Sequence, residues 1–173
     1  MARQLCTAVY LSPLGRITLA SEGERLVGLW FEAQRHYGAG LPPEQERRVE
    51  LTEPLRAAEE WLTAYFAGRN PSTSHLPLAP AGTPFRRAVW RRLLQIPYGH
   101  TTTYGAISAA LHEEGISASP RAVGGAVGHN PISIIIPCHR VLSAAPGSML
   151  HYAAGPATKQ RLLAHESKTC GRS

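Results

Sequence analysis

The sequence predicts an α+β fold in two parts. Residues 1–82 read as a small N-terminal antiparallel sheet with one helix, and residues 83–173 as a mostly helical part holding a helix-turn-helix and a short strand that leads to a cysteine. Three observations carry this. Residues 5–33 alternate apolar and polar side chains in short runs separated by turn residues, the two-residue period of half-buried strands. From Thr52 onward apolar residues recur at helical spacing. Residues 69–82, rich in Pro, Ser and Ala, read as a linker to a second series of short helical patterns.

In the first strand Cys6, Ala8 and Tyr10 alternate with Thr7, Val9 and Leu11, and Ser12-Pro13-Leu14-Gly15 supplies a turn. Ile17 to Ala20 forms the next strand, and Glu22-Gly23-Glu24 turns into Leu26 to Phe31. Residues 34–51 are a polar connection. Thr52, with Pro54 just inside the start, opens a helix through Leu55, Ala58, Trp61, Leu62, Tyr65 and Phe66, and Gly68 ends it. In the second part Thr83-Pro84 starts a helix running to about Leu94, with Phe85, Ala88, Val89 and Leu93 inward. Thr103 caps a short helix from Tyr104 to Leu111. A polar loop follows, and Ser119-Pro120 opens a third helix closed by Gly128 and the pre-proline Asn130. These last two helices suggest a helix-turn-helix with a long turn. Ile132 to Ile136 reads as a buried strand delivering Pro137-Cys138-His139-Arg140-Val141, and Pro156, Leu162 and Leu163 mark a final helix reaching Glu166.

Hydrophobic residues make up 43% and charged residues 17% of the 173, which excludes a disordered chain. No apolar run approaches the roughly 18 residues that span a bilayer, and the opening residues lack a signal peptide's apolar core. The chain is therefore expected to stay where it is made: the cytoplasm, or the nucleus if eukaryotic. Its three cysteines are far apart and its eight histidines scattered, so neither a metal nor a cofactor is expected. Cys6 reads as core and Cys170 as a tail residue. Residues 1–82 hold 8 Lys/Arg against 9 Asp/Glu, whereas residues 83–173 hold 10 against 3. A net of +7 on the second half suggests a polyanionic partner, with solubility as the competing explanation.

The third helix runs Arg121-Ala122-Val123-Gly124-Gly125-Ala126, almost without side chains that read base edges. Small residues thin a helix, ordinarily about 10–12 Å across, toward the roughly 6 Å width of a minor groove. Close packing against a neighbouring helix explains the same composition. Cys138 has His139 beside it, and a thiol needs a base or a cation to react as thiolate. Adjacent side chains diverge, so proton transfer needs a bridging water and a carboxylate to orient the imidazole. Glu166, on an apolar helix, suits that role better than Glu113 or Glu114 in a polar loop. A buried structural Cys-His pair is the alternative.

Ile136-Pro137-Cys138-His139-Arg140-Val141, preceded by Gly128-His129-Asn130-Pro131, resembles the active-site signature of the 6-O-alkylguanine-DNA alkyltransferases. The likeness extends to Ser12-Pro13-Leu14-Gly15, Thr83-Pro84-Phe85, Ile96-Pro97-Tyr98-Gly99, Tyr104-Gly105, Arg121-Ala122-Val123-Gly124 and Leu162-Leu163-Ala164-His165-Glu166. The resemblance implies that Cys138 accepts an alkyl group in one irreversible turnover, activated through His139 and Glu166. It implies that Tyr104 helps rotate the nucleotide and protonates the leaving guanine, and that Arg121 fills the gap in the stack. It places Arg121, Ala122, Gly124, Gly125 and Ala126 against the minor groove of double-stranded DNA bearing an alkylated guanine, bound by a monomer. Asn130 ties the helix to the active-site strand, and the pocket is expected to involve Asn130, Val141, Tyr152, Ala153 and Ala154, with the carbonyls of Cys138 and Val141 accepting from guanine.

Two departures stand out. His151-Tyr152-Ala153-Ala154-Gly155-Pro156 replaces the usual Gly-Tyr-Xaa-Gly-Gly, so a narrower pocket favouring methyl over benzyl is expected, and the turn before Arg121 is about three residues longer than is common. A non-enzymatic binder of alkylguanine is the main alternative. A sequence-reading regulator and a cysteine hydrolase are weaker ones.

Overall fold

β1 (Leu5–Ser12), β2 (Gly15–Glu22) and β3 (Arg25–Phe31) form an antiparallel meander. The structure is a computed structural model and describes residues 4–145 and 152–171. His151 lies outside the described residues. Ser12 pairs with Gly15 across a two-residue turn, which Ser12 stabilises by accepting from Leu14 N at 3.1 Å and donating to Gly15 O at 2.7 Å. A fourth strand, β4 (Arg48–Val49), joins β1 in parallel, giving the order β3-β2-β1-β4. The sheet is thus not wholly antiparallel, and residues 34–51 are not all connection.

Alternation puts Cys6, Ile17, Leu19, Leu29 and Phe31 inside, with Leu55, Ala58, Trp61, Leu62 and Tyr65 of α1 (Glu53–Phe66) in the same core. Each large apolar side chain removed from water contributes about 1.5–3 kcal/mol. Helix α1 stops at Gly68, whose φ of +81° lets its amide donate to Tyr65 O and that of Arg69 to Ala64 O.

The second part contains α2 (Pro84–Leu93), α3 (Tyr104–Glu113), α4 (Pro120–Gly128) and α5 (Pro156–Thr169). Thr83, Thr103 and Ser119 cap α2, α3 and α4 by accepting from the amides of Arg86, Ala106 and Ala122. Each cap is worth about 1 kcal/mol. Trp90 is buried and donates its indole N–H to Ala126 O at 2.8 Å, locking α2 to α4. Two short strands, β5 (Thr102–Thr103) and β6 (Val141–Leu142), pair in parallel.

Two further expectations are corrected. Ile132 to Ile136 is buried but is not a strand: it is a turn in which only Ile132 bridges β3, through Leu29, and Ile134 adopts a φ of +69°. The active-site strand is therefore absent from this segment. Residues 69–82 are not a free linker either, because Leu26 N donates to Pro77 O and Ala79 N to Leu26 O, with Leu76 buried. Both segments cover the open edge of β3, where exposed ladder groups would otherwise invite pairing. One buried cluster runs from Cys6 to Leu162, so the two parts share a core. Among the described residues, no helix is long and apolar enough to cross a membrane.

Candidate active site

Cys138 begins a single 3-10 turn, Cys138–Arg140, in which Arg140 N donates to Pro137 O at 3.0 Å. Asn130 fixes the approach to this turn: its Nδ2 donates to Ile136 O at 2.8 Å and its Oδ1 accepts from Ile132 N at 3.0 Å. A left-handed backbone at a β-branched residue such as Ile134 costs on the order of 1–3 kcal/mol, which burial of the whole segment offsets.

Glu166, on the inner face of α5, is 1% exposed and gathers donors from three parts of the chain. Its Oε1 accepts from His139 Nε2 at 2.6 Å, from Tyr65 on α1 at 2.8 Å and from Arg140 Nη2 at 3.0 Å. Its Oε2 accepts from Arg140 Nε at 2.9 Å and from Gly99 N at 3.2 Å. Gly99 has a φ of +76°, and a Cβ there would lie 2.6 Å from Cys170 Sγ, so only glycine fits. Burial pushes the Glu166 carboxyl up, but the hydrogen bonds and charge of His139 and Arg140 outweigh it and hold it at about 2. An ionised carboxylate on Nε2 fixes the tautomer: Nε2 carries the proton and Nδ1, buried without a partner among the described residues, carries the lone pair. Burial, helped by Arg140 and Lys159, keeps the imidazole pKa below its ordinary value despite Glu166, so His139 is a neutral base at neutral pH.

Burial likewise pushes the Cys138 thiol up, while Asn130 and the charge of Lys159 pull it down. Lys159 is itself buried on α5, with Nζ donating to Val141 O at 2.6 Å, and burial lowers its pKa. Tyr104 and Tyr152 face the same sulfur, and burial followed by Cys138 raises both phenols. The Tyr152 hydroxyl is near Cys138 and Ser133, yet neither meets it in good hydrogen-bonding geometry.

A cavity of about 830 Å³ opens on this side of the molecule, within the usual range for ligand pockets. Tyr104, Arg121, Gly124, Gly125, Tyr152, Ala153 and Ala154 line it. Cys138, only 3% exposed, lies behind that lining. Ala122 is exposed, whereas Ala126 is buried toward α2, so its side chain is turned away from the outer face of α4. Asn130 and Val141 are not among the residues that line the cavity: Asn130 lies behind it, bonded to the Ile132–Ile136 turn and acting on the Cys138 thiol, and the Val141 carbonyl accepts from Lys159. The structure adds Tyr65, Gly99, Arg140 and Lys159 to the site. One signal was available, since Lys159, Leu162 and Glu166 stand at i, i+3 and i+7 and share a buried helix face.

A buried thiol beside an imidazole–carboxylate pair, adjoining two packed helices and a cavity that Arg121 lines, defines a cysteine-dependent group-transfer protein. The model for the 6-O-methylguanine DNA methyltransferase DNA binding domain matches residues 84–168, and that for the ribonuclease-like domain of the same family matches residues 5–80. The chain belongs to the 6-O-methylguanine DNA methyltransferase family. It is 42% identical over 156 residues to the methylated-DNA–protein-cysteine methyltransferase of Methanosarcina acetivorans, covering 90% of this chain and 94% of that one. It is 40% identical over 133 residues to the protein of the same name from Haemophilus influenzae, covering 77% and 70%. Among solved structures it is similar to the Mycobacterium tuberculosis O6-methylguanine methyltransferase, with a TM-score of 0.78 and 34% identity. It is also similar to M. tuberculosis OGT in complex with DNA, with a TM-score of 0.75 and 37% identity; each comparison covers 96% of this chain and 94% of the other.

Proposed function

We propose that this chain repairs DNA by moving an alkyl group from the 6-oxygen of guanine to Cys138, once per molecule. Residues 83–173 carry the DNA-binding and acceptor parts, and residues 1–82 support them. The observation that carries the reading is the 2.6 Å His139–Glu166 contact beside buried Cys138, with His139 Nδ1 left as the free base. Glu166 holds the imidazole, and Nδ1 takes the thiol proton through a bridging water. The thiolate attacks the alkyl carbon in line, a C–S bond forms, and the C–O bond breaks with its electron pair left on guanine. Tyr104 returns a proton to that base. A thioether has no easy route back, so the protein is consumed, and no cofactor enters the balance.

Reaching this oxygen requires the nucleotide to leave the stack. We read α4 as docking in the minor groove of the duplex, with exposed Arg121 at the cavity rim entering the stack. The glycines support this: a Cβ at Gly125 or Gly128 would meet nothing within 4 Å, so internal packing does not require glycine at either position. The protein acts as a monomer in this reading. The test is peptide mass after incubation with a duplex carrying one 6-O-methylguanine. One methyl on the Cys138 peptide, saturating at one equivalent and absent in Cys138→Ala, is expected. Unchanged mass with tight lesion-dependent binding would replace repair with non-enzymatic lesion recognition.

A further inference from the structure

The wall of the cavity facing α4 comes from the first part of the chain, which carries no excess positive charge. Ala33, Gln34, Arg35 and His36 line it together with Arg121 and Gly125. They are fastened in place. Arg35 N donates to Ala153 O at 2.8 Å, and Gln34 Oε1 accepts from Phe31 N at 2.9 Å and Ser133 Oγ at 3.1 Å. His36, held at a φ of +60°, stacks on His129 with ring centroids 4.2 Å apart. His129 in turn donates Nδ1–H to Gly125 O at 2.7 Å, so this segment is braced against the end of α4.

The charges here are of one sign. His36 faces Arg35 on its own segment, Arg86 from α2 and His129 after α4, and burial, followed by His129, Arg35 and Arg86, lowers its pKa. Arg121 lines the same cavity, and no carboxylate is among the described residues that line it. Glu32, next in sequence, pairs with Arg16 instead. Arg35 and His36 are exposed, and clustered like charges repel unless an anion lies among them.

We propose that Arg35 and His36 form a second contact to the DNA phosphate backbone, so that the duplex is held from both sides of the cavity, by α4 and by the first-part segment. This rests on the DNA reading above. Replacing the Arg35 side chain leaves its backbone bond to Ala153 intact, so the wall keeps its shape. Fluorescence anisotropy of the full chain on a 6-O-methylguanine duplex and on its undamaged counterpart, from about 50 to about 200 mM salt, tests it. Arg35→Gln is expected to weaken both complexes by the same several-fold factor and to flatten the slope of log affinity against log salt by about one. Arg35→Lys is expected to restore the slope. An unchanged slope in Arg35→Gln overturns the contact, as does a loss confined to the lesion duplex. Failure of the wild-type chain to bind either duplex overturns the DNA reading itself.

Discussion

Replacing Glu166 with Gln separates the orienting role of this residue from its weight in the fold. The carboxylate accepts five hydrogen bonds, from Tyr65, His139, Gly99 and twice from Arg140. If the amide oxygen keeps the Oε1 position, the amide nitrogen confronts two donors, Gly99 N–H and Arg140 Nε–H. Arg140, 8% exposed, also loses its counter-charge. Breaking a buried pair on one side costs about 3–5 kcal/mol. A carboxyl moved from 4.5 to about 2 gives about 3 kcal/mol at neutral pH by an independent route, at about 1.36 kcal/mol per unit. For a chain of this size each kcal/mol shifts the melting temperature by about 2–4 °C, so a drop on the order of 10 °C is expected in thermal circular dichroism. Single-turnover transfer should slow about 100-fold, because His139 loses the group that fixes its tautomer. A Glu166→Gln melt within about 2 °C of wild type would refute the energetic reasoning. A lower melt with wild-type transfer would refute the relay.

Three further outcomes follow. The folded pKa of Glu166 lies below its ordinary 4.5, so its contribution is complete above that value and is lost as pH falls toward about 2. Denaturant midpoints should therefore drop more steeply for wild type than for Glu166→Gln across this window, and parallel curves would count against it. Lys159→Met removes a buried cation that favours the Cys138 thiolate, so the pH profile of iodoacetamide alkylation should move up and the rate at neutral pH fall several-fold. A profile that stays in place while only the melting temperature drops would make Lys159 purely structural. Ala154 lines the cavity beside Tyr152, and Ala154→Gly should speed benzyl transfer about 10-fold while leaving methyl transfer nearly unchanged. Equal methyl and benzyl rates in the wild-type chain would remove the premise.

Elements with local chemistry were legible in the sequence. The meander follows from alternation and from Ser12 and Gly15 at its first turn, and each cap of α2, α3 and α4 sits on the predicted hydroxyl residue. What escaped depends on distant partners. Arg48–Val49 and Thr102–Thr103 are strands only because Cys6–Thr7 and Val141–Leu142 lie beside them. The run Ile132 to Ile136 looks the same whether buried as a strand or as a turn, and Asn130 decides for the turn by bonding across it. The cysteine, histidine and glutamate of the site stood out as residue types in a pattern. Tyr65 did not, because its ring satisfies a helical stripe and only its hydroxyl, donating across the two parts, reveals a second role.

The placement of Glu166 on the final helix also has a meaning in time. Chains fold as they are made, amino-terminal regions first. Cys138 and His139 are therefore synthesised before the carboxylate that orients them, and the 14-residue α5 supplies both Glu166 and Lys159. Until that helix docks, Tyr65 and Arg140 have no acceptor there and the imidazole has no fixed tautomer. The nucleophile is thus armed by a helix made after it, so a chain released before α5 carries the acceptor cysteine without the means to use it.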